Sequence, residues 1–321
     1  MASYNKLIAF LKEEQNQNFL LIAHERPDGD TVSATLAMRR LLLSINKNVV
    51  LASSQGVPEV FKFLADWPDV KTDFLIGDFD AIILIDNGDI KRTGYSKRIS
   101  LAKKKNVPII NIDHHPKNDI WKIANINVVD ESASSTCELI FELYDKLSIL
   151  MDHEIATMLL TGIYTDTGGF QHANTNAKTL EISAKLMSMG AKLKTISSNI
   201  SNHKSPRALK LWGIALKRIT FLPEINLNYS VITRKDIDDA GAKEEDLAGV
   251  VNLMCSIPGD HATLLLYETL NGKIKGSLRT ESNKIDVAKI AAVFGGGGHK
   301  KASGFIVDGK LSKTEGGWKI V

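Results

Sequence analysis

Four short apolar runs mark the first half of the chain. Phe19–Ala23 reads as a buried strand, Val49–Leu51 as a second, Ala81–Ile85 as a third rich in β-branched residues, and Val107–Ile112 as a fourth. Around them apolar residues recur at helical spacing over Thr31–Ser44, Ser134–Leu147, His153–Tyr164 and Ala177–Met189, with a shorter helix at Pro58–Leu64. Met1–Glu14 places Leu7, Ile8, Phe10 and Leu11 on one side of an amphipathic first helix. Alternation of this kind predicts an α/β domain, a mostly parallel sheet with helices on both faces.

The pattern then changes. Gly190 stops a helix after Met189, and residues 191–222 read as helical and polar, including Ser205–Ile219. From Leu227 the runs Tyr229–Thr233, Ala262–Glu268 and Ile274–Arg279 read as strands, the last two joined by an Asn271-Gly272 hairpin turn. A helix over Val287–Phe294, a glycine run and a strand at Gly304–Val307 complete a smaller α+β domain. The expected organisation is a first domain at 1–190, a helical linker at 191–222 and a second domain at 223–321.

Composition changes this picture little. A length of 321 residues favours two domains. A net charge of +3 and a pI near 8.6 are too mild for a duplex-DNA-binding protein, yet leave room for a small anion in a local basic pocket. Cys137 and Cys255 lack metal-site spacing and read as reduced, buried thiols. The first residues lack the apolar core of a signal peptide, and no run reaches the roughly 18 apolar residues of a membrane helix. The expectation is a soluble, cytoplasmic protein without membrane association.

The candidate chemistry lies at the strand ends, which line the ligand crevice of an open parallel sheet. The first strand ends in His24, followed by Asp28 and Asp30. The third ends in Asp86, with Asp89 after it, and the fourth in Asp113-His114-His115. A later turn carries Thr165-Asp166-Thr167-Gly168. Any one of these aspartates alone reads as a helix cap. Several at one edge repel and desolvate each other unless a cation joins them. Mixed imidazole and carboxylate donors suit a first-row ion such as manganese. A shared carboxylate holds two such ions about 3.5–4 Å apart, an arrangement that serves displacement at phosphorus.

These motifs resemble those of the DHH phosphoesterases. His24-Glu25-Arg26-Pro27-Asp28-Gly29-Asp30 is similar to the family's first motif and Asp86 to its second. Asp113-His114-His115 is similar to the third, and Gly162–Gly168 to the fourth. Asn111-Ile112 and Ser134–Glu138 also fit. Gly295-Gly296-Gly297-Gly298-His299-Lys300-Lys301-Ala302-Ser303-Gly304, with Ser277-Leu278-Arg279 upstream, resembles the DHHA1 signature. The two-domain length points to the bacterial nano-RNase and 3′-phosphoadenosine 5′-phosphate (pAp) phosphatase group. What the resemblance implies is a manganese-dependent hydrolase, with Mg²⁺ or Co²⁺ as substitutes, acting on short oligoribonucleotides, dinucleotides or pAp. It also favours a homodimer.

By the same resemblance His24, Asp28 and Asp86 hold one ion, and Asp30, Asp86, His114 and Asp166 the other, with Asp86 bridging. His115 faces the scissile phosphate, and Asp113 orients a ligand histidine. Arg279, Gly296, Gly297, His299 and Ser303 grip the terminal nucleotide. Ser33 departs from the family, which has glycine there. The residues themselves leave Gly295–Gly298 as an anion-approaching loop or a plain turn. His153 reads as a helix start, His172 as surface with substrate contact as its alternative, His203 and His261 as surface or partner contacts, Lys103–Lys105 as a solvated helix face, and the four tryptophans as packing. A linear or cyclic dinucleotide phosphodiesterase is the alternative. A manganese pyrophosphatase lacks the glycine-rich run, and a silent sensor would have lost a ligand.

Overall fold

The computed structural model describes residues 2–75, 77, 79–201, 205–314 and 317–321. His203 lies outside them. The chain forms two compact units, Met1–His203 and Lys204–Val321.

The first unit contains α1 (Ala2–Lys12), β1 (Asn18–Ile22), α2 (Gly29–Ser44), β2 (Asn48–Ala52), β3 (Val70–Lys71) and β4 (Ala81–Ile85). It continues with α3 (Ser96–Lys104), β5 (Ile109–Asp113), α4 (Asp119–Ile123), β6 (Ile126–Val129), α5 (Thr136–Leu147), α6 (His153–Asp166), α7 (Ala177–Ser188) and α8 (Leu193–Ser201). Its sheet runs β3-β2-β1-β4-β5-β6, and every pairing is parallel. The period-two alternation of each strand divides its apolar residues between two cores. Phe19, Leu21, Ile83 and Ile85 pack on one face with α2, α5 and α6. Leu20, Ile22, Ile82 and Leu84 pack on the other with Ile99 of α3 and Ile120 of α4. Burial on both faces is why these strands read as continuous apolar runs.

The second unit contains α9 (Pro206–Lys217), β7 (Thr220–Leu222), β8 (Leu227–Ile232), α10 (Arg234–Asp239), α11 (Val250–Cys255), β9 (Ala262–Glu268) and β10 (Lys273–Arg279). After these come α12 (Val287–Val293), β11 (Gly297–His299), β12 (Ala302–Asp308), β13 (Leu311–Thr314) and β14 (Gly317–Ile320). The sheet order is β11-β12-β10-β9-β8-β7, with β8 and β9 parallel and the rest antiparallel. Leu265 and Tyr267 face a core with Leu211 and Met254. Leu278 and Phe305 face a second core with Val287 and Ala291 of α12. The β9–β10 turn places Gly272 at φ +70, as an Asn-Gly turn requires. Within the 191–222 stretch, Ile196 belongs to the first unit's core, and Leu211 and Ala215 to the second's.

Some local expectations change. Pro58–Leu64 folds as one 3₁₀ turn, Glu59–Phe61, because only Phe61 within that turn finds a core. The glycine run includes the edge strand β11. There a side chain at Gly296 would overlap the carbonyl of Gly304, and one at Gly298 would crowd Ala302 and Ser303. Those two glycines therefore serve close approach to β12 within the fold. His261 is buried, with its ring edge-on to Phe221. Lys103–Lys105 are exposed.

Candidate metal centre

The sheet order reverses between β1 and β4, the place where an open parallel sheet leaves a crevice at its carboxyl ends. β1, β4 and β5 are neighbours there, so His24, Asp86 and Asp113-His114-His115 arrive together. Helices α2 and α6 supply the rest. A side chain at Gly29 would overlap Thr165, and one at Gly162 would overlap Cys137 and Asp30. Bare glycine Cα atoms thus let α2 and α6 cross closely, which sets Asp30 beside Asp166. Ser33, four residues after Gly29, is wholly buried and its hydroxyl has no hydrogen-bond partner.

Asp28, Asp30 and Asp86 each have a structural tie. Asp28 is both an N-cap and a site residue. Its Oδ1 accepts from the Thr31 N–H at 3.0 Å, and its Oδ2 faces His24 Nε2 at 3.6 Å. Asp30 accepts the N–H groups of Thr136 and Cys137 at 2.6 and 2.9 Å, the open N-terminus of α5. Asp86 sits at φ +57 and accepts the hydroxyls of Thr31 at 2.5 Å and Thr136 at 3.1 Å. Asp166 ends α6, where the helix dipole disfavours an anion. Its Oδ2 lies 3.2 Å from His114 Nε2.

These side chains form three overlapping groups whose donor atoms lie within 4.8 Å of one another: His24, Asp28 and Asp86; Asp30, His114 and Asp166; and Asp86, His114 and His115. The residues fit divalent ions. The buried His24 Nε2 has no hydrogen-bond partner. Burial, Asp86 and Asp166 together hold the Asp30 carboxyl well above its usual range. Burial also raises Asp166; its bond to His114 opposes that rise, and Asp86 adds to it. On His114 burial works against the charge, yet the bond to Asp166 and the fields of Asp30 and Asp86 hold the ring up at about 10. A field that retains a proton so strongly attracts cations generally. The surrounding protein disfavours charge on Asp28, but the nearby His24 ring and the bonds from Thr31 outweigh this and bring it down to about 2.

Asp113 is turned to a different histidine from the one expected. Its Oδ1 pairs with His115 Nδ1 at 2.8 Å and its Oδ2 accepts from the Gly88 N–H. His114 Nδ1 instead meets the Ala133 carbonyl at 3.3 Å, which leaves Nε2 for the carboxylates. The bond to Asp113, then that to Asp86, push His115 up to about 10. Asp89 builds a turn, accepting from the Lys91 and Arg92 N–H groups. His172 is exposed, with Nδ1 3.1 Å from the Asp166 carbonyl. Sequence reasoning gave no role to Thr31, Thr136 or the Ala133 carbonyl; the one signal was the polar Ser134–Thr136 start of α5.

In the second unit Arg279 ends β10. Its Nε donates to Asn252 Oδ1 at 3.0 Å, and burial lowers its pKa. His299 is exposed on β11, and Gly297 has open space beside its Cα. Ser303 is buried and donates to the Val287 carbonyl at 2.6 Å, tying β12 to α12. A cavity of about 450 Å³ is lined by Lys275, Gly295, Gly296, Gly297 and Phe305.

The family model for the DHH family, N-terminal domain, matches residues 18–163, and that for the DHHA1 domain matches residues 225–315. The bifunctional oligoribonuclease and PAP phosphatase NrnA of Thermus thermophilus is 28% identical over 311 residues, covering 95% of this chain and 88% of that protein. The protein of the same name from Mycoplasma genitalium is 30% identical over 302 residues, covering 92% and 91%. The crystal structure of an exopolyphosphatase-related protein from Bacteroides fragilis matches with a TM-score of 0.84 at 26% identity, over 95% of this chain and 90% of that one. Among the described residues no helix is long and apolar enough to cross a membrane.

Proposed function

The chain belongs to the DHH family of metal-dependent phosphoesterases, with a DHHA1 domain after the first, and from that premise we propose that it hydrolyses short oligoribonucleotides and pAp. The observation that carries this is the set of overlapping donor groups at one sheet edge, in a chain that aligns nearly end to end with NrnA proteins.

In this reading His24, Asp28, Asp30, Asp86, His114 and Asp166 hold two divalent ions, and Asp86, fixed by two threonine hydroxyls, is shared between them. The mixed nitrogen and oxygen donors favour manganese. Bound there, the ions supply Lewis-acid stabilisation of charge at phosphorus. His115 stands at the reacting phosphate. With Nδ1 engaged by Asp113, its Nε2 carries the proton for the leaving oxygen. The DHHA1 unit binds the uncleaved part of the nucleotide, through Arg279, His299 and the backbone of Gly296 and Gly297. Ser303 supports that edge from beneath. A cytoplasmic homodimer that binds short single strands and no duplex DNA completes the proposal; two unpaired, buried cysteines are consistent with a reducing compartment.

The test is a turnover panel with added manganese: an RNA dinucleotide, pAp, a linear signalling dinucleotide and pyrophosphate. Hydrolysis of the first two is expected. Inactivity on both, or a strong preference for pyrophosphate, sinks the reading.

A further inference from the structure

Arg92 has no place in the scheme above, yet its surroundings are built. Asp89 Oδ1 accepts from its N–H at 2.9 Å, closing a turn directly after Asp86. Its carbonyl accepts from the Glu25 N–H at 2.6 Å, tying the same turn to the segment between His24 and Asp28. The Arg92 backbone is therefore fixed from two sides of the metal centre. Its side chain runs back across Gly88. A Cβ on Gly88 would meet Arg92 Nη1 at 2.8 Å and the Cδ2 and Cγ atoms of His115 at 3.7 Å. Guanidinium and imidazole thus flank one bare Cα, and Asp113 anchors both the Gly88 N–H and the His115 ring.

Arg39, Arg40, Arg98, Arg207, Arg218 and Arg234 each pair with a carboxylate. Among the described residues none pairs with Arg92, which is half-buried. A half-buried cation without a counter-ion is costly. Here it lies beside the His115 ring, whose Nδ1 is engaged by Asp113. A guanidinium beside an imidazole favours an anion, and the planar fork of arginine matches two oxygens of a phosphate.

We propose that Arg92 is a further catalytic residue, whose guanidinium contacts non-bridging oxygens of the phosphate under attack, alongside His115. In the hydrolysis a water oxygen bonds to phosphorus, the ester P–O bond breaks, one water proton is released to solvent and the leaving oxygen gains a proton. Arg92 stays charged throughout and stabilises the charge that builds on phosphorus. This role rests on the phosphoesterase reading for its reaction but not for its anion, because inorganic phosphate presents the same oxygens.

The test compares wild type, Arg92→Ala and Arg92→Lys in two ways: calorimetric binding of inorganic phosphate to the manganese-loaded protein, and kcat on pAp and on bis-p-nitrophenyl phosphate. Arg92→Ala should lose about 10²–10³ in kcat on both substrates, as expected for removal of a preorganised donor. Its phosphate affinity should fall at least about tenfold, while manganese affinity and melting temperature stay as in wild type. Arg92→Lys should recover phosphate affinity more than kcat, since it restores charge without the fork. Unchanged phosphate affinity in Arg92→Ala overturns the proposal, as does a loss that appears only with weakened manganese binding or a lowered melting temperature. If wild type cleaves neither substrate, the phosphoesterase reading falls, and the phosphate titration still decides whether Arg92 holds the anion.

Discussion

The metal centre and the glycine-rich edge of the second unit meet opposite physical demands. At the metal centre His24, Asp30, Asp86 and Asp113 are each exposed by 2% or less. At the edge, His299 and Gly297 lie open to solvent and Arg279 and Gly296 are half-buried. Holding several like charges together requires a rigid, dehydrated frame, here built from strand ends and two helix N-termini. Gripping the end of a nucleotide requires access, so those groups stay on the surface. The first region should therefore carry rate and metal affinity, and the second should carry substrate affinity.

The hardest blow to this division is Asp86→Ala. It should lower kcat by at least about 10³-fold at saturating manganese, and by more than Asp28→Ala does, because Asp86 belongs to two of the three donor groups and Asp28 to one. A rate within tenfold of wild type would end its shared role. His115→Ala should cost about 10²–10⁴ in kcat with manganese affinity preserved; titration showing lost metal would place His115 among the ligands. Arg279→Ala should weaken pAp binding by about 1.5–3 kcal/mol, the worth of a charge-assisted bond, and leave bis-p-nitrophenyl phosphate turnover as it was. Equal losses on both substrates would erase the contrast between the two regions.

The smallest effect is on stability. The raised carboxyl of Asp166 means that ionising it costs the fold more than the unfolded chain. Without metal at pH 7, Asp166→Asn should therefore be more stable by about 1 kcal/mol, or roughly 2–4 °C in melting temperature. The advantage should fade as pH falls through the raised value, where wild type also becomes neutral. Manganese should then stabilise wild type more than the variant. Calorimetric scans at two pH values check this, and a lower melting temperature for the metal-free variant at pH 7 would show that the site is stable without a cation.

Much of this was legible because burial on both faces writes a strand as an uninterrupted apolar run. Phe19–Ala23, Ala81–Ile85 and Val107–Ile112 could be located, and the polar residues that end them stood out. The elements that escaped carry weaker contrast. β6 is only Ile126-Asn127-Val128-Val129, and α3 buries just Ile99 and Ala102 among three lysines and an arginine. Partners of the site residues escaped for another reason. Thr136 reaches Asp86 across 50 positions and its amide reaches Asp30 across 106. No local pattern marks such a tie. Arg92 carries no sequence signal, because the bare Cα of Gly88 that gives it passage is a feature of the fold alone.

The close crossing of α2 and α6 also fixes the environment of Cys137. Its thiol is wholly buried, packed where any side chain on Gly162 would lie, and its N–H holds Asp30. Burial, with the negative field of Asp30, holds the thiol well above its ordinary value, so it is unreactive while the helices stay together. Cys255 sits in the other unit. The chain thus carries one thiol reporter in each unit. The rate at which an alkylating reagent marks Cys137 should measure how often the metal centre opens, and manganese should slow that clock while leaving the rate at Cys255 unchanged.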